Sequence, residues 1–563
     1  MNIELTGRSI LLLLTFSPLL GIIALVLSPC SMSDSMKRVI AIISTGFTFL
    51  LSLLIWSRFK TESAASSVFP ESFLLGDSIA WLPQIGLSLS VGIDGLSLWL
   101  IILTSFLSVL VMIASPSVSR NLKGYLISML ILEIGMLGTF VSLDVLLFYI
   151  FWEIMLIPMY FLIGIWGGKN RVYAAIKFVI YTAIGSLLML VAIVYLQYSY
   201  AMQFNEMSFL LTDLQKVNLS YNEQWWLFLA FLIAFLIKVP VFPLHTWLPD
   251  AHVEAPTGGS VILAGVLLKM GIYGMVRFGV MLFPVPCLEA APYLAILGVT
   301  GIIYGALVAW VQTDMKKLVA YSSVSHMGFC VLGFAMFNEE GMQGALLQLI
   351  NHGITTAALF FLVGVLYDRK HTRDIADYGG LASKIPLFSF VFMVFMLSSI
   401  GLPFTNGFVG EFLILIGTFR GIHTILGASE AALLNSVILS LGAVIGVVLG
   451  ALYMISLYRR TVFGNFDNKK NGDITDLNLR EMVVFAPLLV LVFFIGLYPR
   501  FILKDLEGTT RMTLERVYSH RSISFQDAGL VNSQNVNFDN IEYDSDLDFG
   551  DMTSQVVEGF SDE

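Results

Sequence analysis

Long apolar segments alternate with short, more polar loops along almost the whole chain. Most segments hold about 20 residues or more, which is enough for a helix to cross a hydrocarbon core of about 30 Å. The pattern therefore predicts an all-α polytopic membrane protein with about 14 transmembrane helices, called spans 1 to 14. They lie at residues 9–28, 38–56, 90–115, 124–141, 143–166, 172–197, 225–244, 257–282, 292–311, 318–337, 344–367, 386–419, 432–457 and 482–503.

Two of the predicted spans are interrupted. Span 7 carries Lys238 and, two residues later, Pro240, while span 12 has Pro403 between Gly401 and Gly407. Proline removes a backbone hydrogen bond, and broken backbone at membrane depth is tolerated only where protein or a wet cavity surrounds it. Corresponding broken helices in two halves indicate inverted repeats, so we expect spans 4–8 and 9–13 to form two inverted five-helix repeats.

The expected domain organisation follows from these spans. The N-terminal spans 1–3 precede the two repeats, and a loop and span 14 follow them. The boundaries are 1–123, 124–282 for the first repeat, 283–457 for the second, 458–505, and an acidic tail at 506–563.

The tail differs in composition from the rest of the chain. After Leu506 twelve acidic residues stand against three arginines, which accounts for the whole formal charge of −9. The tail has no periodic apolar face, so we expect it to be disordered, with docking to a partner as the alternative.

Basic residues in the loops predict the orientation of the spans. Loops after odd-numbered spans hold seventeen of them, against four near even-numbered ones, and positive loops face the cytoplasm or the mitochondrial matrix. Both termini are then expected on the opposite side. The seventeen are Lys37, Arg38, Arg120, Lys123, Lys169, Arg171, Lys316, Lys317, Arg369, Lys370, Arg373, Lys384, Arg459, Arg460, Lys469, Lys470 and Arg480, and the four are Arg58, Lys60, Lys216 and Arg420.

Composition supports a membrane protein and argues against some chemistries. The chain is 57% hydrophobic and 13% charged, with a mean hydropathy of +0.83. The three cysteines, Cys30, Cys287 and Cys330, have no CxxC or other ligand spacing, so an iron–sulfur or zinc site is not expected. The sequence also contains no P-loop motif, G-x-x-x-x-G-K-S/T, so an ATPase site is not expected.

Ionisable residues inside the predicted spans are the candidate functional residues. A Lys at the centre of a membrane helix costs roughly 2.5–3.5 kcal/mol, so such residues face protein or water and are functional by default. Glu153 in span 5, Lys238 in span 7, Lys269 in span 8 and Glu411 after the break in span 12 meet this description. For each, a purely structural role is the alternative.

Two histidines inside predicted spans are further candidate functional residues. His326 in span 10 and His352 in span 11 each lie about eight residues inside a span, and a lone buried His is as often a hydrogen-bonded core residue as a proton carrier. Together the candidates describe an alternation of acids and bases along which protons can hop through water.

Other charged residues near the membrane are interpreted more simply. Arg277, near the end of span 8, is expected to reach the membrane interface. Asp250, His252 and Glu254 lie in the loop after span 7 and either admit protons or solvate the loop. Glu133 in span 4 has no expected partner.

Four stretches of the sequence resemble a known protein family. The stretches FWEIMLIPMYFLIGIWGG, KVPVFPLHTWLPDAHVEAPTGGSVILAGVLLKMGIYGMVRF, VAYSSVSHMGF and LPFTNGFVGEFLIL are similar to the antiporter-like chains of proton-pumping NADH–quinone oxidoreductase, respiratory complex I. The pattern is that of its chain M type, called chain 4 in mitochondria. The likeness covers roughly residues 1–505, and the acidic tail lies outside it.

The resemblance implies roles for the candidate residues. The family's Glu–Lys pair falls on Glu153 and Lys238, its span 8 Lys falls on Lys269, and its connecting His falls on His326 and His352. Its last acidic residue falls on Glu411, where the sister chains typically carry Lys.

The resemblance also implies that proton translocation and redox chemistry belong to different subunits. This chain would translocate protons in the bacterial inner membrane, or in the mitochondrial inner membrane if organellar, without a cofactor of its own. FMN, iron–sulfur clusters and quinone would belong to partner subunits, and the neighbours would be the sister chains L and N, with no nucleic acid. The alternatives are a chain of a stand-alone multisubunit cation/proton antiporter and a non-pumping structural subunit.

Overall fold

The computed structural model describes residues 7–29, 31–65, 73–426, 430–466 and 471–527. Over these ranges the chain is mostly helical, and twelve helices are long and apolar enough to cross a membrane. They correspond to predicted spans 1–6, 8–11, 13 and 14. Spans 7 and 12 are present as pairs of shorter helices separated by breaks, so the predicted polytopic helical fold is confirmed.

The helices follow the predicted spans in order. Two π-helical stretches, Leu263–Leu267 and Met275–Val280, interrupt span 8. The α-helices lie at Gly7–Phe16, Pro18–Leu27, Asp34–Ala65, Gly95–Ile113, Leu122–Val141, Val145–Ile154, Leu156–Trp166, Arg171–Phe204, Leu211–Leu214, Tyr221–Lys238, Trp247–Glu254, Thr257–Ile262, Lys269–Gly274, Pro284–Trp310, Met315–Ala335, Glu339–Lys370, Pro386–Ser399, Asn406–Leu426, Glu430–Val462, Leu479–Leu497 and Arg500–Asp527.

Capping side chains explain where several spans begin. Asp94 accepts a hydrogen bond from the Ser97 backbone N–H at 2.8 Å at the start of span 3. Asp144 accepts from two backbone N–H groups at the start of span 5, and Asn338 accepts from one at the start of span 11. These contacts satisfy N–H groups that have no partner within the helix.

A β-hairpin precedes span 3, in a segment that the sequence pattern left as a polar loop. Strands Leu74–Leu82 and Leu87–Ile93 pair antiparallel, joined by a short 3-10 turn at Pro83–Ile85 and by Gly86 with φ of 79°. The second strand is largely buried and the first largely exposed. The all-α description therefore needs this one addition among the described residues.

The end of the chain also departs from the prediction. A helix runs from Arg500 to Asp527, across the boundary expected at residue 506, so the predicted disorder is wrong as far as Asp527. Its contacts explain why: the Thr509 hydroxyl donates to the Asp94 carboxylate at 2.7 Å, and the Asp505 carboxylate pairs with Lys60. The rest of the acidic tail, 528–563, lies outside the described residues.

The spans belong to one compact unit of residues 1–517. The second unit comprises residues 518–563, of which the described part is the end of the last helix.

Candidate functional site

Lys269 and His352 are in direct contact at the centre of the protein. Lys269 is fully buried, and its Nζ lies 2.7 Å from Nδ1 of His352 and also donates to the Ala264 carbonyl. Spans 8 and 11 approach closely here, since a Cβ on Gly353 would lie 3.0 Å from the carbonyl oxygen of Gly265. A glycine directly after His352 thus lets the imidazole reach the lysine.

The local backbone of span 8 also favours this position of the lysine. Lys269 begins the short α-helix between the two π-helical stretches. A π-helical turn has i→i+5 hydrogen bonds and occurs frequently at functional sites. The Ala264 carbonyl that accepts from the ammonium belongs to the first π-helical stretch.

The contact continues from His352 to Glu411 through a second histidine. The rings of His352 and His326 have centroids 5.7 Å apart. His326 Nδ1 lies 3.1 Å from Oε1 of Glu411, and all three side chains are buried. The structure therefore brings four of the predicted residues, Lys269 included, into one line from span 8 to span 12.

The break in span 12 places Glu411 beside His326. The first half-helix ends at Ser399, whose hydroxyl lies 3.4 Å from His326 Nε2, and the second begins at Asn406. His326 thus contacts both halves of the broken helix. Gly401 lies in the break with φ of 72°, and a Cβ there would lie 2.8 Å from Oε2 of Glu411.

Lys238 and Glu153 form a separate part of the site. Lys238 is the last residue of the helix Tyr221–Lys238, as expected from Pro240, and it is 1% exposed. Its Nζ lies 4.9 Å from the ring centroid of Trp152, in cation–π geometry. Trp152 directly precedes Glu153, and sequence reasoning missed it.

The expected ion pair between Glu153 and Lys238 is not closed in this structure. Among the described residues, Lys238 Nζ and Glu153 Oε1 have no hydrogen-bond partner. Ser186 and Tyr149 are the polar side chains that face the Glu153 carboxyl group. Helix Val145–Ile154 ends next to Glu153, and the next helix begins at Leu156 after a single residue with helical backbone angles, a one-residue interruption that the sequence did not indicate.

Gly271 on span 8 packs against span 7 at the residue that follows Lys238. A Cβ on Gly271, in the turn after Lys269, would lie 2.3 Å from Cγ2 of Val239, the residue after Lys238. Spans 7 and 8 are therefore in backbone contact at this level. No direct hydrogen bond joins Lys238 and Lys269 within the described part of the chain; the contact at this level is between the backbones of the two spans that carry them.

Arg277 is buried against protein side chains instead of extending to the surface, as its expected role near the end of span 8 required. It is 1% exposed and pairs with Asp94, with Nη2 2.6 Å from Oδ1. The guanidinium also donates to Ser97 and lies 4.3 Å from the ring centroid of Phe73. The carboxylate that caps span 3 thus provides the counter-ion, which spacing along span 8 did not reveal.

The segment expected as a loop after span 7 is the helix Trp247–Glu254, so the loop expectation is wrong, and its polar side chains mostly make structural contacts. Asp250 pairs with Lys177 at 2.7 Å, and the Glu254 carboxylate accepts from the Asn170 backbone N–H at 3.0 Å. His252 is fully buried and stacks on Phe360, with centroids 4.7 Å apart.

Glu133 is isolated in the interior of span 4. It is fully buried, and both carboxyl oxygens lack a hydrogen-bond partner among the residues that the structure describes. Ser108 is the polar side chain that faces it.

The line from Lys269 to Glu411 alternates proton donors and acceptors. Imidazole carries a proton on one ring nitrogen and accepts at the other, so each His can pass a proton from one neighbour to the next. Fold and site define a class: a polytopic membrane protein with a buried line of Lys, His and Glu side chains.

Comparison with known proteins narrows this class. Residues 142–438 match the family model described as NADH:quinone oxidoreductase/Mrp antiporter, TM. The NADH-quinone oxidoreductase subunit M of Rhodobacter capsulatus is 42% identical over 525 residues, covering 91% of this chain and 97% of that protein.

Solved structures of related membrane complexes have the same fold. A chain of respiratory complex I from Thermus thermophilus superposes with a TM-score of 0.78 at 29% identity, covering 90% of this chain and 99% of the other. A chain of the Mrp complex from Dietzia sp. reaches a TM-score of 0.73 at 18% identity, covering 94% and 100%, which shows the common fold alone. The chain belongs to the NADH-quinone oxidoreductase subunit M family, within the wider group of antiporter-like membrane subunits.

Proposed function

We propose that this chain is the proton-translocating M-type membrane subunit of NADH–quinone oxidoreductase, respiratory complex I. The observation that carries the proposal is the line of buried side chains from Lys269 through His352 and His326 to Glu411, with hydrogen-bond distances at its two ends. Charged groups in a membrane interior are costly and mark ion paths, and this series connects two interrupted spans. Membership in the subunit M family indicates the complex in which this proton path would operate.

In this proposal each residue has a defined step. The Lys269 ammonium passes a proton to Nδ1 of His352, which lies within hydrogen-bond distance. Transfer between the two rings takes one bridging water, since their centroids are 5.7 Å apart. His326 then protonates the Glu411 carboxylate, which lies 3.1 Å away.

Glu153 and Lys238 act as the gate of this path. With the pair open, as in the structure, Lys238 lies against Trp152. When the pair is closed, the Glu153 carboxylate compensates the charge on Lys238; when it opens, the uncompensated positive charge disfavours a proton on Lys269. Movement of one side chain therefore drives the proton away from Lys269 toward His352.

The redox chemistry belongs to partner subunits in this proposal. FMN, iron–sulfur clusters and quinone are bound there, and sister chains L and N are the membrane neighbours. The basic loops after odd-numbered spans face the bacterial cytoplasm, and both termini face the periplasm; in an organelle the membrane is the mitochondrial inner membrane. Spans 4–8 and 9–13 form the two inverted repeats, which matches the presence of one broken helix in each.

Replacing Lys238 by Met tests the proposal. We expect the variant to assemble into the complex and to lose proton pumping, measured in inside-out vesicles supplied with NADH. The matched control is Lys317→Met, because Lys317 is an exposed residue at the start of span 10. A Lys238→Met complex that pumps at the normal rate would mean that the buried charge is structural.

The alternative functions predict that different proteins copurify with this chain. A stand-alone multisubunit cation/proton antiporter has the same fold, as the Mrp chain illustrates. The 42% identity to a subunit M over almost its whole length favours complex I. Purification of the tagged chain separates the two: the proposal requires chains L and N and NADH oxidation to copurify with it.

A further inference from the structure

Besides the ionisable side chains, a buried cluster of amide and hydroxyl groups surrounds the break in span 12. Gln348 and Asn351 in span 11 and Asn406 after the break are 2% exposed or less, and Ser398 and Thr355 lie beside them. The proton path described above uses none of these groups. Burying an amide without hydrogen bonds costs roughly 1–3 kcal/mol, so a cluster of this size requires an explanation.

Gln348 contacts the last residue of the path directly. Its Nε2 donates to Oε1 of Glu411 at 3.3 Å, the same oxygen that lies 3.1 Å from His326 Nδ1. The amide sits tightly against the broken helix, because a Cβ on Gly410 would lie 2.3 Å from Oε1 of Gln348. The orientation of the Glu411 carboxylate therefore depends on one histidine and one amide.

Asn351 and Asn406 bind each other reciprocally. The Asn351 amide donates to the Asn406 carbonyl at 2.7 Å, and the Asn406 amide donates to the Asn351 carbonyl at 3.3 Å. Asn406 Oδ1 in turn accepts from Ser398 Oγ in the first half-helix at 2.6 Å. The pair thus fastens span 11 to both halves of span 12, directly beside His352.

We infer that Gln348 and the Asn351–Asn406 pair are positioning residues for proton transfer at Glu411. Gln348 holds the carboxylate toward His326, and the asparagine pair fixes the second half-helix, which carries Glu411, against the helix that carries His352. Without them the break lets Glu411 turn away, and the last transfer step fails. This inference rests on the proposed function.

The test is Gln348→Met, which keeps the length of the side chain and removes its donor. We expect the pumping rate per assembled complex to fall about tenfold, the scale of losing a hydrogen bond to a charged group. Gln343→Met is the matched control: it lies in the same helix, and its amide donates to Glu339 at 2.9 Å, away from the path. Equal pumping by the two variants would overturn the inference.

A double variant separates positioning from a merely structural role. In a Glu411→Lys background the Gln348 donor has no carboxylate to orient, so adding Gln348→Met should lower the residual pumping no further. A structural defect would lower pumping by the same factor in both backgrounds, which would refute positioning. If Glu411→Ala pumps normally, the proposed path itself is wrong; if Glu411→Ala fails while Gln348→Met pumps normally, only this inference is wrong.

A second measurement covers the asparagine pair. Asn351→Leu removes the amide that donates to the Asn406 carbonyl and, at 3.5 Å, to Gln348 Oε1, whereas Asn351→Asp removes this donor but keeps the size of the side chain. We expect NADH oxidation with an artificial electron acceptor, which reports assembled complex, to be retained in both, while pumping falls in both because the amide donor to Asn406 is lost. Normal pumping by assembled Asn351→Leu complex would contradict the role of the pair.

Discussion

The Nζ of Lys269 lies 2.7 Å from Nδ1 of His352, across 83 residues of sequence. When Lys269 is protonated, its ammonium group can only donate, so Nδ1 accepts and the proton of a neutral imidazole is on Nε2. Nε2 has no hydrogen-bond partner among the described residues. The His352 ring is therefore oriented to take a proton at one nitrogen and release one at the other.

Replacing His352 tests this orientation. We expect His352→Ala to assemble and to lower proton pumping by about 10²-fold or more, the scale of removing a general acid–base group. Pumping is measured as dye quenching in vesicles, normalised to NADH oxidation with an artificial acceptor. His371→Ala is the control, because His371 is an exposed residue at the end of the same helix. Equal rates for the two variants would remove His352 from the path.

The pair Glu153 and Lys238 gives a second prediction. Glu153→Gln removes the charge that attracts Lys238 and keeps the size of the side chain. We expect the complex to assemble while pumping and coupled quinone reduction fall strongly, because the gate no longer closes. Normal pumping in membranes with full subunit content would exclude Glu153 from the mechanism. Glu223→Gln, a change at a partly exposed residue in the cap of span 7, is the control.

The buried pair Arg277 and Asp94 predicts an effect on stability. Arg277→Met leaves the Asp94 carboxylate buried without its counter-ion, which costs about 3–5 kcal/mol. We expect a lower thermal unfolding temperature of the purified complex. Adding Asp94→Asn should recover much of the loss, since Asn keeps the helix cap without the charge. Arg511→Met should change little, because that ion pair is solvent-exposed.

Sequence pattern predicted the spans and the individual charged residues, since both depend on local hydrophobicity. It did not predict which residues meet. The contact of Lys269 with His352 depends on Gly265 and Gly353 letting two helices approach. Likewise, Arg277 finds its counter-ion on another span.

Two elements were missed for a related reason. The hairpin before span 3 lies in a segment whose first strand is mostly exposed, so its pattern resembles a polar loop. The helix Arg500–Asp527 is far more polar than the spans, and polar contacts such as Thr509 with Asp94 help to hold it. Gln348 had one signal, its position one turn before His352 within an apolar helix.

The C-terminal helix predicts how far the chain can be shortened. A stop after Asp527 should leave pumping and stability unchanged. A stop after Leu506 removes the Thr509 donor to Asp94 and the Arg516 donor to the Met281 carbonyl. Losing these partly buried bonds should destabilise the complex by about 1–3 kcal/mol, read out as a lower unfolding temperature. Equal stability of the two truncations would mean that the helix contributes nothing to the membrane domain.

The last prediction concerns Glu411 itself. Its carboxylate lies between His326 and the glycine-containing break of span 12. Glu411→Ala removes the acceptor, so a proton on His326 has no buried base to receive it, and pumping should fall by about 10²-fold. Glu411→Lys places a titratable amine in the same position and should retain part of the activity. Pumping in matched amounts of assembled complex decides between them. If Ala and Lys were equally harmless, the proton would have to leave the chain by another route, because no other side chain in the described structure joins His326 to the second half of span 12 as a base.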